Sequence, residues 1–392
     1  MRRAAARGRL LAGAILVLAA CEPGGTSGTL GAPSPPTRSV KLPAAVGVGE
    51  GELDLVTSEG YADDLWVKAF TQQSGCQVHA HYAASTAEMT SLMAGGGGGR
   101  WDMVSAPGDI SLQLIYGGEV NPMNIALIPS WVDFGSLFKS PPYNTVGGVH
   151  YGVSLQWSPN ILLYNTKQIT PPPTSWRAVY DQAYKGRVTV PDNPMQIADA
   201  ALYLSKSQPA LGITDPFELS REQFNAAVAL LTEQRALIHR YWPIASDEVA
   251  MFQDGEAIVG SAGPYQAVQL QSVGIPVAEA VPAEGMTAWG DSWMLAARAP
   301  HPNCAYLWAA YTATPQVQAQ QARLFGETPV NAKACAAMNA LEAGSCAKFH
   351  ADATDSYLSA IVLWNTPLAW CGGGGGCVPY DDWVSAWDVI RA

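Results

Sequence analysis

Charge is scarce in this sequence, and positive charge is scarcer. Of 392 residues only 14% are Asp, Glu, Lys or Arg, with 33 acidic against 22 basic side chains and a formal charge of −11. A nucleic-acid binder needs clustered Lys and Arg for its phosphate contacts, so that class is excluded. Long apolar runs are missing too. The longest, Leu10–Ala20, has eleven residues, against the ~20 of a bilayer-spanning helix. No Cys-x-x-Cys occurs, which argues against a zinc site. The five glycines Gly95–Gly99 are not followed by the Lys-Ser/Thr of a phosphate-binding loop. No Gly-x-Ser-x-Gly nucleophile motif is present. No cofactor and no metal are therefore expected.

Aromatics are plentiful, with 13 Trp and 15 Tyr. Low charge with many aromatics excludes disorder for most of the chain. At ~150 residues per domain the length suggests two or three domains. An acidic protein attracts cationic ligands over long range.

The first nine residues are basic, and the apolar run that follows has the length of a signal h-region. Leu18-Ala19-Ala20-Cys21 closes it. This resembles the bacterial lipoprotein lipobox, which implies cleavage after residue 20 and lipidation of Cys21. Several acyl chains would hold the protein stably at the outer face of the cytoplasmic membrane. Without residues 1–20 the chain keeps 18 basic and 33 acidic side chains, a charge of −15. Residues 21–50 are rich in Gly, Pro and Ser and read as the lipidated Cys and a flexible tether.

Six cysteines remain after Cys21: Cys76, Cys304, Cys335, Cys346, Cys371 and Cys377. An even number in an exported protein reads as disulfides, with fifteen connectivities possible. Short-range closure favours Cys335–Cys346 and Cys371–Cys377, which leaves Cys76–Cys304. Of the six His, only His79 and His81 form a His-Ala-His pair, and on a strand both would share a half-exposed face.

Along the chain, Leu53–Thr57, Cys76–Tyr82 and Trp101–Ser105 read as strands. Ala62–Gln73 has helical spacing, with Leu65, Trp66, Ala69 and Phe70 on one side, and Gly75 ends it. Thr86–Ala94 reads as a helix capped by Ser85 or Thr86. Strand–helix–strand–helix–strand implies a parallel, doubly wound sheet whose ligand sits beyond the strands' carboxyl ends, at Ser58–Tyr61 and Ala106–Asp109. A second α/β set follows. Arg187–Val190 and Glu256–Gly260 are its strands, and Gln196–Leu204, Glu222–Gln234 and Pro264–Gln271 its helices. Ser220 and Gln223 form a capping box before the second of these. Tyr151–Asn165 and Trp289–Ala297 are extended apolar segments joining the two sets. The tail from Pro315 is mostly helical.

Specific residues then recur in order. They are Gly60-Tyr61-Ala62-Asp63-Asp64, Trp101-Asp102, Tyr151 to Trp157, Thr174-Ser175-Trp176 ahead of Tyr184-Lys185-Gly186, and Phe252-x-x-Gly255-Glu256. Trp289-Gly290-Asp291-Ser292-Trp293, Gly326-Glu327-Thr328-Pro329 and a Trp-rich C-terminal helix with Trp383 and Trp387 follow. The series, through about residues 53–390, resembles the spermidine/putrescine-type periplasmic solute-binding proteins of ABC importers. That resemblance implies an α/β, two-lobed periplasmic-binding-protein fold, type II-like, with each lobe a mostly parallel sheet flanked by helices. Lobe 1 would be 51–155, lobe 2 156–288, and 289–392 a return to lobe 1 ending in a helical, disulfide-stapled segment. It also implies a monomer that captures a small cationic, polyamine-like solute and presents it to a permease with its ATPase, without being an enzyme.

Carried over residue by residue, the resemblance places Trp289 and Asp291 at the return hinge, with Asp291 the main amine acceptor. It adds Tyr61, Asp109 and Glu327 on the first lobe, Asp192 and Gln196 on the second, and Trp157 near the hinge. Trp293 shares a strand face with Asp291 and is expected in the core. Two departures stand out. Where the family often has an acidic pair, this chain has Asp192 with Asn193 and Gln196, and a family Trp falls at Ala262 or Gly263. An amino-acid-like solute therefore stays open beside the polyamine, and an exported enzyme on the same scaffold is the third reading.

Overall fold

The computed structural model describes residues 42–372 and 375–392. The signal segment, Cys21 and most of the tether lie outside the described residues. Two sheets organise the chain. The larger has eight strands, six of them in the order Thr328–Pro329, Gly152–Pro159, Met286–Ala296, Met103–Pro107, Glu52–Thr57, Gln77–Tyr82. The smaller has four, ordered Val277–Ala280, Ile161–Asn165, Val259–Ala262, Val188–Thr189. Leu53, Leu55, Val56, Met103 and Val104 are fully buried, which is the burial expected of strands covered on both faces.

The α/β class stands as expected, but the sheets are mixed rather than mostly parallel. Glu52–Thr57 runs parallel to both its neighbours. The long strand Met286–Ala296 then returns antiparallel to Met103–Pro107 and to Gly152–Pro159. In the smaller sheet Ile161–Asn165 is antiparallel to both its neighbours. The extended segment 151–165 thus splits at Asn160, with one half in each sheet. A chain that crosses directly from sheet to sheet has no helical crossover, and a parallel pairing needs one.

Local chemistry explains the helix limits. Asp63 caps Asp64–Ser74 by accepting from the Leu65 amide, so that helix starts two residues later than its apolar spacing suggests. Trp66 and Phe70 are buried by it, whereas Leu65 is 65% exposed and leaves the expected apolar face. Ser85 is the cap of Thr86–Met93, and Ser220 with Gln223 forms the capping box of Arg221–Gln234. The strand expected at 256–260 is shifted to Val259–Ala262, because the Glu256 and Ala257 amides still donate to Met251 at the end of the preceding helix. The His-Ala-His pair is engaged by acids, His79 with Glu52 and His81 with Glu88.

The disulfides are Cys76–Cys304, Cys335–Cys346 and Cys371–Cys377. Trp293 is buried against Trp308 in the core. The tail departs from the expected return to the first lobe. Helix Tyr380–Arg391 buries Trp383, Trp387 and Ile390 against Gln196–Ser207 and Arg221–Gln234, beside the smaller sheet. Its apolar residues are spaced to fill one helix face, and that face is already complementary to Phe224 and Leu231. No helix among the described residues is long and apolar enough to cross a membrane.

Candidate functional site

A cleft of about 510 Å³ opens where the strand ends of the two sheets converge. Six of the expected residues line it: Tyr61, Asp109, Asp192, Trp289, Asp291 and Glu327. Tyr61 follows the end of Glu52–Thr57, Asp109 the end of Met103–Pro107, and Asp192 the end of Val188–Thr189. Each is a carboxyl end, where a mixed α/β sheet leaves room for a ligand. Asp291 lies on the long returning strand, opposite Pro107 in register, which brings it beside Asp109.

Backbone freedom sets two of these side chains. Gly60 has φ +89°, and a Cβ there would lie 2.6 Å from the Phe325 ring. Gly326 has φ +69°, and a Cβ there would lie 2.5 Å from Tyr265. Only glycine tolerates both conditions, and the residues that follow are Tyr61 and Glu327. As a result the Tyr61 hydroxyl donates to Asp291 Oδ2 at 2.8 Å and sits 3.4 Å from Glu327 Oε2.

The electrostatics of this corner are unusual for a protein interior. Burial pushes the Asp291 carboxyl up to about 7, against the Tyr61 hydrogen bond that lowers it, and neighbouring Asp109 pushes it further. Burial takes Asp109 up to about 6, partly offset by the Tyr380 hydroxyl donating to its Oδ2 at 2.9 Å. The other oxygen, Oδ1, is buried without a partner. Burial and then Asp291 hold Glu327 well above the usual carboxylate range. Among the residues lining the cleft no Lys, Arg or His faces these acids. Three buried carboxyls without a countercharge are costly in the empty cleft, and a cation placed among them would relieve that cost.

Two expected residues are elsewhere. Trp157 is 1% exposed and packs against Phe138 with ring centroids 5.1 Å apart, inside the larger sheet's core. Every residue of its strand is buried, so the apolar pattern there reports core on both faces and not a ligand platform. Gln196 is buried and donates to Asp199 Oδ2 at 2.6 Å. Behind the cleft Asp199 also accepts from the Thr287 hydroxyl. Thr287 Oγ1 in turn accepts from Asn160 Nδ2 at 2.7 Å and Trp364 Nε1 at 3.2 Å. Asn160 and Trp364 line the cleft, so Gln196 is connected to its wall through this buried chain without lining it.

The absence of a Trp at Ala262 or Gly263 does not leave the second lobe without an aromatic at the cleft. Trp242 lines the cleft and donates its indole N–H to the Ser261 carbonyl at 3.3 Å, beside the expected position. It is reached by residues 238–242, which bridge in parallel to Val188 and Pro191. Trp364 and Phe325 complete an aromatic lining with Trp289. Sequence reasoning missed Trp242 and Trp364, and the only signals were a Trp-Pro pair at 242–243 and Trp364 three residues before Pro367. Away from the cleft, Asp54, Asp102 and His301 place ligand-type atoms within 4.8 Å of one another. Both Asp102 oxygens already accept backbone amides, from Asp54 and His301, so this group reads as a structural brace.

Fold and site together define a two-lobed α/β binding protein with an acidic, aromatic-lined cleft. Residues 66–344 match the family described as bacterial extracellular solute-binding protein, and the chain belongs to that family. A curated relative, the putrescine/cadaverine-binding protein of Pseudomonas aeruginosa, is 25% identical over 172 residues, 42% of this chain. The match spans about half of that relative's length, 48%. The crystal structure of the spermidine/putrescine ABC transporter substrate-binding protein PotD from Streptococcus pneumoniae has a TM-score of 0.67 at 17% identity, over 87% of this chain and 99% of that one. A GABA receptor has a TM-score of 0.65 at 18% identity, over 87% and 98%.

Proposed function

We propose that this protein captures a small organic cation in the cleft and delivers it to the permease and ATPase of an ABC importer. The observation that carries this reading is the trio Asp109, Asp291 and Glu327 in one corner of the cleft lining, which holds no cationic side chain, with Tyr61 bonded to the last two and Tyr380 to the first. Aromatic faces at Trp242, Trp289 and Trp364 suit an ammonium group or its methylenes, at ~0.5–2 kcal/mol per cation–π contact. The curated relative's name, a diamine binder, points the same way. The protein acts as a monomeric binder and not as an enzyme. It is held by lipid on Cys21 at the outer face of the cytoplasmic membrane, with the lobes divided near residues 155 and 288.

Calorimetric titration with spermidine, putrescine, agmatine, amino acids and sugars tests the reading, which fails if no cation binds. Given a binding cation, Asp291→Asn weakens it by at least ~1.5 kcal/mol, the lower range for a hydrogen bond to a charged group. An unchanged constant would remove Asp291 from the site. An amino-acid-like solute is the second reading. It is favoured by the neutral Asn193 beside Asp192 and by a fold shared with a GABA receptor.

A further inference from the structure

The two sides of the cleft differ in available charge. The first lobe supplies Asp109, Asp291 and Glu327, with Glu59 at the exposed edge, and no cation faces them. The second lobe supplies one carboxylate, Asp192, and both of its oxygens are taken. Oδ1 accepts the Trp387 indole N–H at 2.8 Å, and Oδ2 accepts the Arg391 guanidinium at 3.0 Å. Arg391 is held at the same time by Asp388, at 2.8 Å. Trp387 is buried, so its end of this clasp is fixed by packing against Tyr241.

Behind Asp192 lies a recess lined by Arg235, His239, Arg240 and Arg391 together with Asp388, so three arginines stand there against two carboxylate side chains. The surroundings of this carboxylate thus contain arginines, which the lining of the first-lobe corner lacks. An ammonium group arriving at Asp192 would meet a carboxylate whose two oxygens are already occupied, with a guanidinium at its far side. Like charges around one acceptor repel, and the dehydration of a second ammonium would go uncompensated.

From this asymmetry we propose that Arg391 is a specificity-determining residue: a built-in cation that occupies the second lobe's acceptor, so that the cleft selects solutes with a single cationic end. The cationic end lies in the corner of Tyr61, Asp291 and Glu327. The other end, neutral and polar or apolar, lies toward Trp242, Asn193 and Asp192. This rests on the cation-binding reading above and narrows it from polyamines to monoamine-type solutes. Arg391 acts through Asp192 and is absent from the cleft lining.

The test is calorimetry on the full-length protein in detergent with two probes of equal length, putrescine and 4-amino-1-butanol. They differ only in whether the second end is charged. The proposal expects the amino alcohol to bind at least as tightly as putrescine. It expects Arg391→Gln to shift the ratio of the two constants about tenfold toward putrescine, by freeing Asp192. Arg391→Lys, which keeps the charge, retains the wild-type ratio. A merely structural Arg391 would weaken both probes together and leave their ratio fixed. Putrescine preferred by the wild type overturns this proposal and leaves the cation reading intact. A ratio unmoved in a folded Arg391→Gln protein also overturns it. Should that variant not fold, the wild-type ratio together with Arg391→Lys decides. Binding of neither probe overturns the cation reading and this proposal with it.

Discussion

The Tyr61 hydroxyl donates to the Asp291 carboxylate at 2.8 Å while standing 3.4 Å from Glu327, so one proton serves two acids. It can satisfy only one at full strength. Each ionised carboxyl opposes ionisation of the other, so both hold protons more tightly than ordinary carboxyls, and a cation between them favours the ionised pair.

Cation affinity should accordingly rise with pH. Asp109 is raised to about 6 and Asp291 to about 7, both by burial, and burial with Asp291 holds Glu327 well above the usual carboxylate range. A bound ammonium favours the ionised forms, so protons leave on binding wherever pH lies below these values. Affinity then climbs between pH 5.5 and 8, and binding at pH 7 releases protons. Titrations in two buffers of different ionisation enthalpy measure the release directly. A pH-independent constant with no buffer effect would rule the linkage out. Without ligand the sign for stability is opposite. These acids keep protons in the folded state that the unfolded chain has already lost, so stability falls as pH rises from about 4 toward 7.

Glu327→Gln separates folding from function. The substitution keeps the shape, removes a carboxyl that burial and Asp291 both oppose, and can still receive the Tyr61 proton. Unliganded stability at pH 8 should increase by on the order of 1 kcal/mol, the scale of a poorly paired buried polar group. Cation affinity should fall by about tenfold, equal to ~1.4 kcal/mol. Urea denaturation and calorimetry on the same protein check both signs. Loss of stability together with unchanged affinity would contradict the role given to Glu327.

Most of the cleft's first-lobe half could be read from the sequence, because strand ends are local features. Tyr61 and Asp109 follow short apolar strands at positions that period-2 patterning locates. The rest depended on contacts distant in sequence. Trp242 reaches the cleft only because residues 238–242 lie beside Val188 and Pro191, and no alternation marks that stretch. Trp364 is set by Thr287, 77 residues away. Trp157 misled for the opposite reason: an aromatic in a strand buried on both faces looks the same in sequence as one facing a ligand. Asp192 lines the cleft at the strand end the sequence marks, but its pairing with Arg391 spans a separation of 199 residues. The C-terminal helix likewise carried no sequence mark of which lobe it would cover.

Thr287 is the junction of the buried chain behind the cleft. Its hydroxyl donates to Asp199 and accepts from Asn160 and Trp364. Thr287→Val keeps the volume and removes all three bonds at once. Asp199, already raised to about 7 by burial, would lose a donor that holds it down, so its carboxyl should rise further. The expected loss is about 2–3 kcal/mol of stability, from leaving buried polar groups unpaired. Ligand affinity should also fall, because Asn160 and Trp364 lose their anchor. Chemical denaturation with tryptophan fluorescence follows both effects. A variant as stable as the parent would show that the chain behind the cleft carries no weight.

The Cys76–Cys304 disulfide should contribute the most to stability among the three bridges. It joins residues 228 apart, against 11 for Cys335–Cys346 and 6 for Cys371–Cys377. A crosslink restricts the unfolded chain more as the closed loop lengthens. The loop-closure relation gives about 5 kcal/mol for the long bridge and about 2 for the shortest. Both Sγ atoms are also covered by the incoming chain, since a Cβ on Gly49 would lie 2.6 Å from Cys76 Sγ and 3.0 Å from Cys304 Sγ. Next to it Glu50 accepts the Asn303 and Cys304 amides, capping the first turn of helix Pro302–Thr312. Replacing both Cys76 and Cys304 by Ala should therefore lower the urea midpoint well beyond the change caused by Cys371→Ala with Cys377→Ala. It should also loosen the Pro302–Thr312 helix, which amide hydrogen exchange would locate. Equal midpoints for the two double variants would mean that the unfolded chain is already compact around this pair, and the entropic ranking would be wrong.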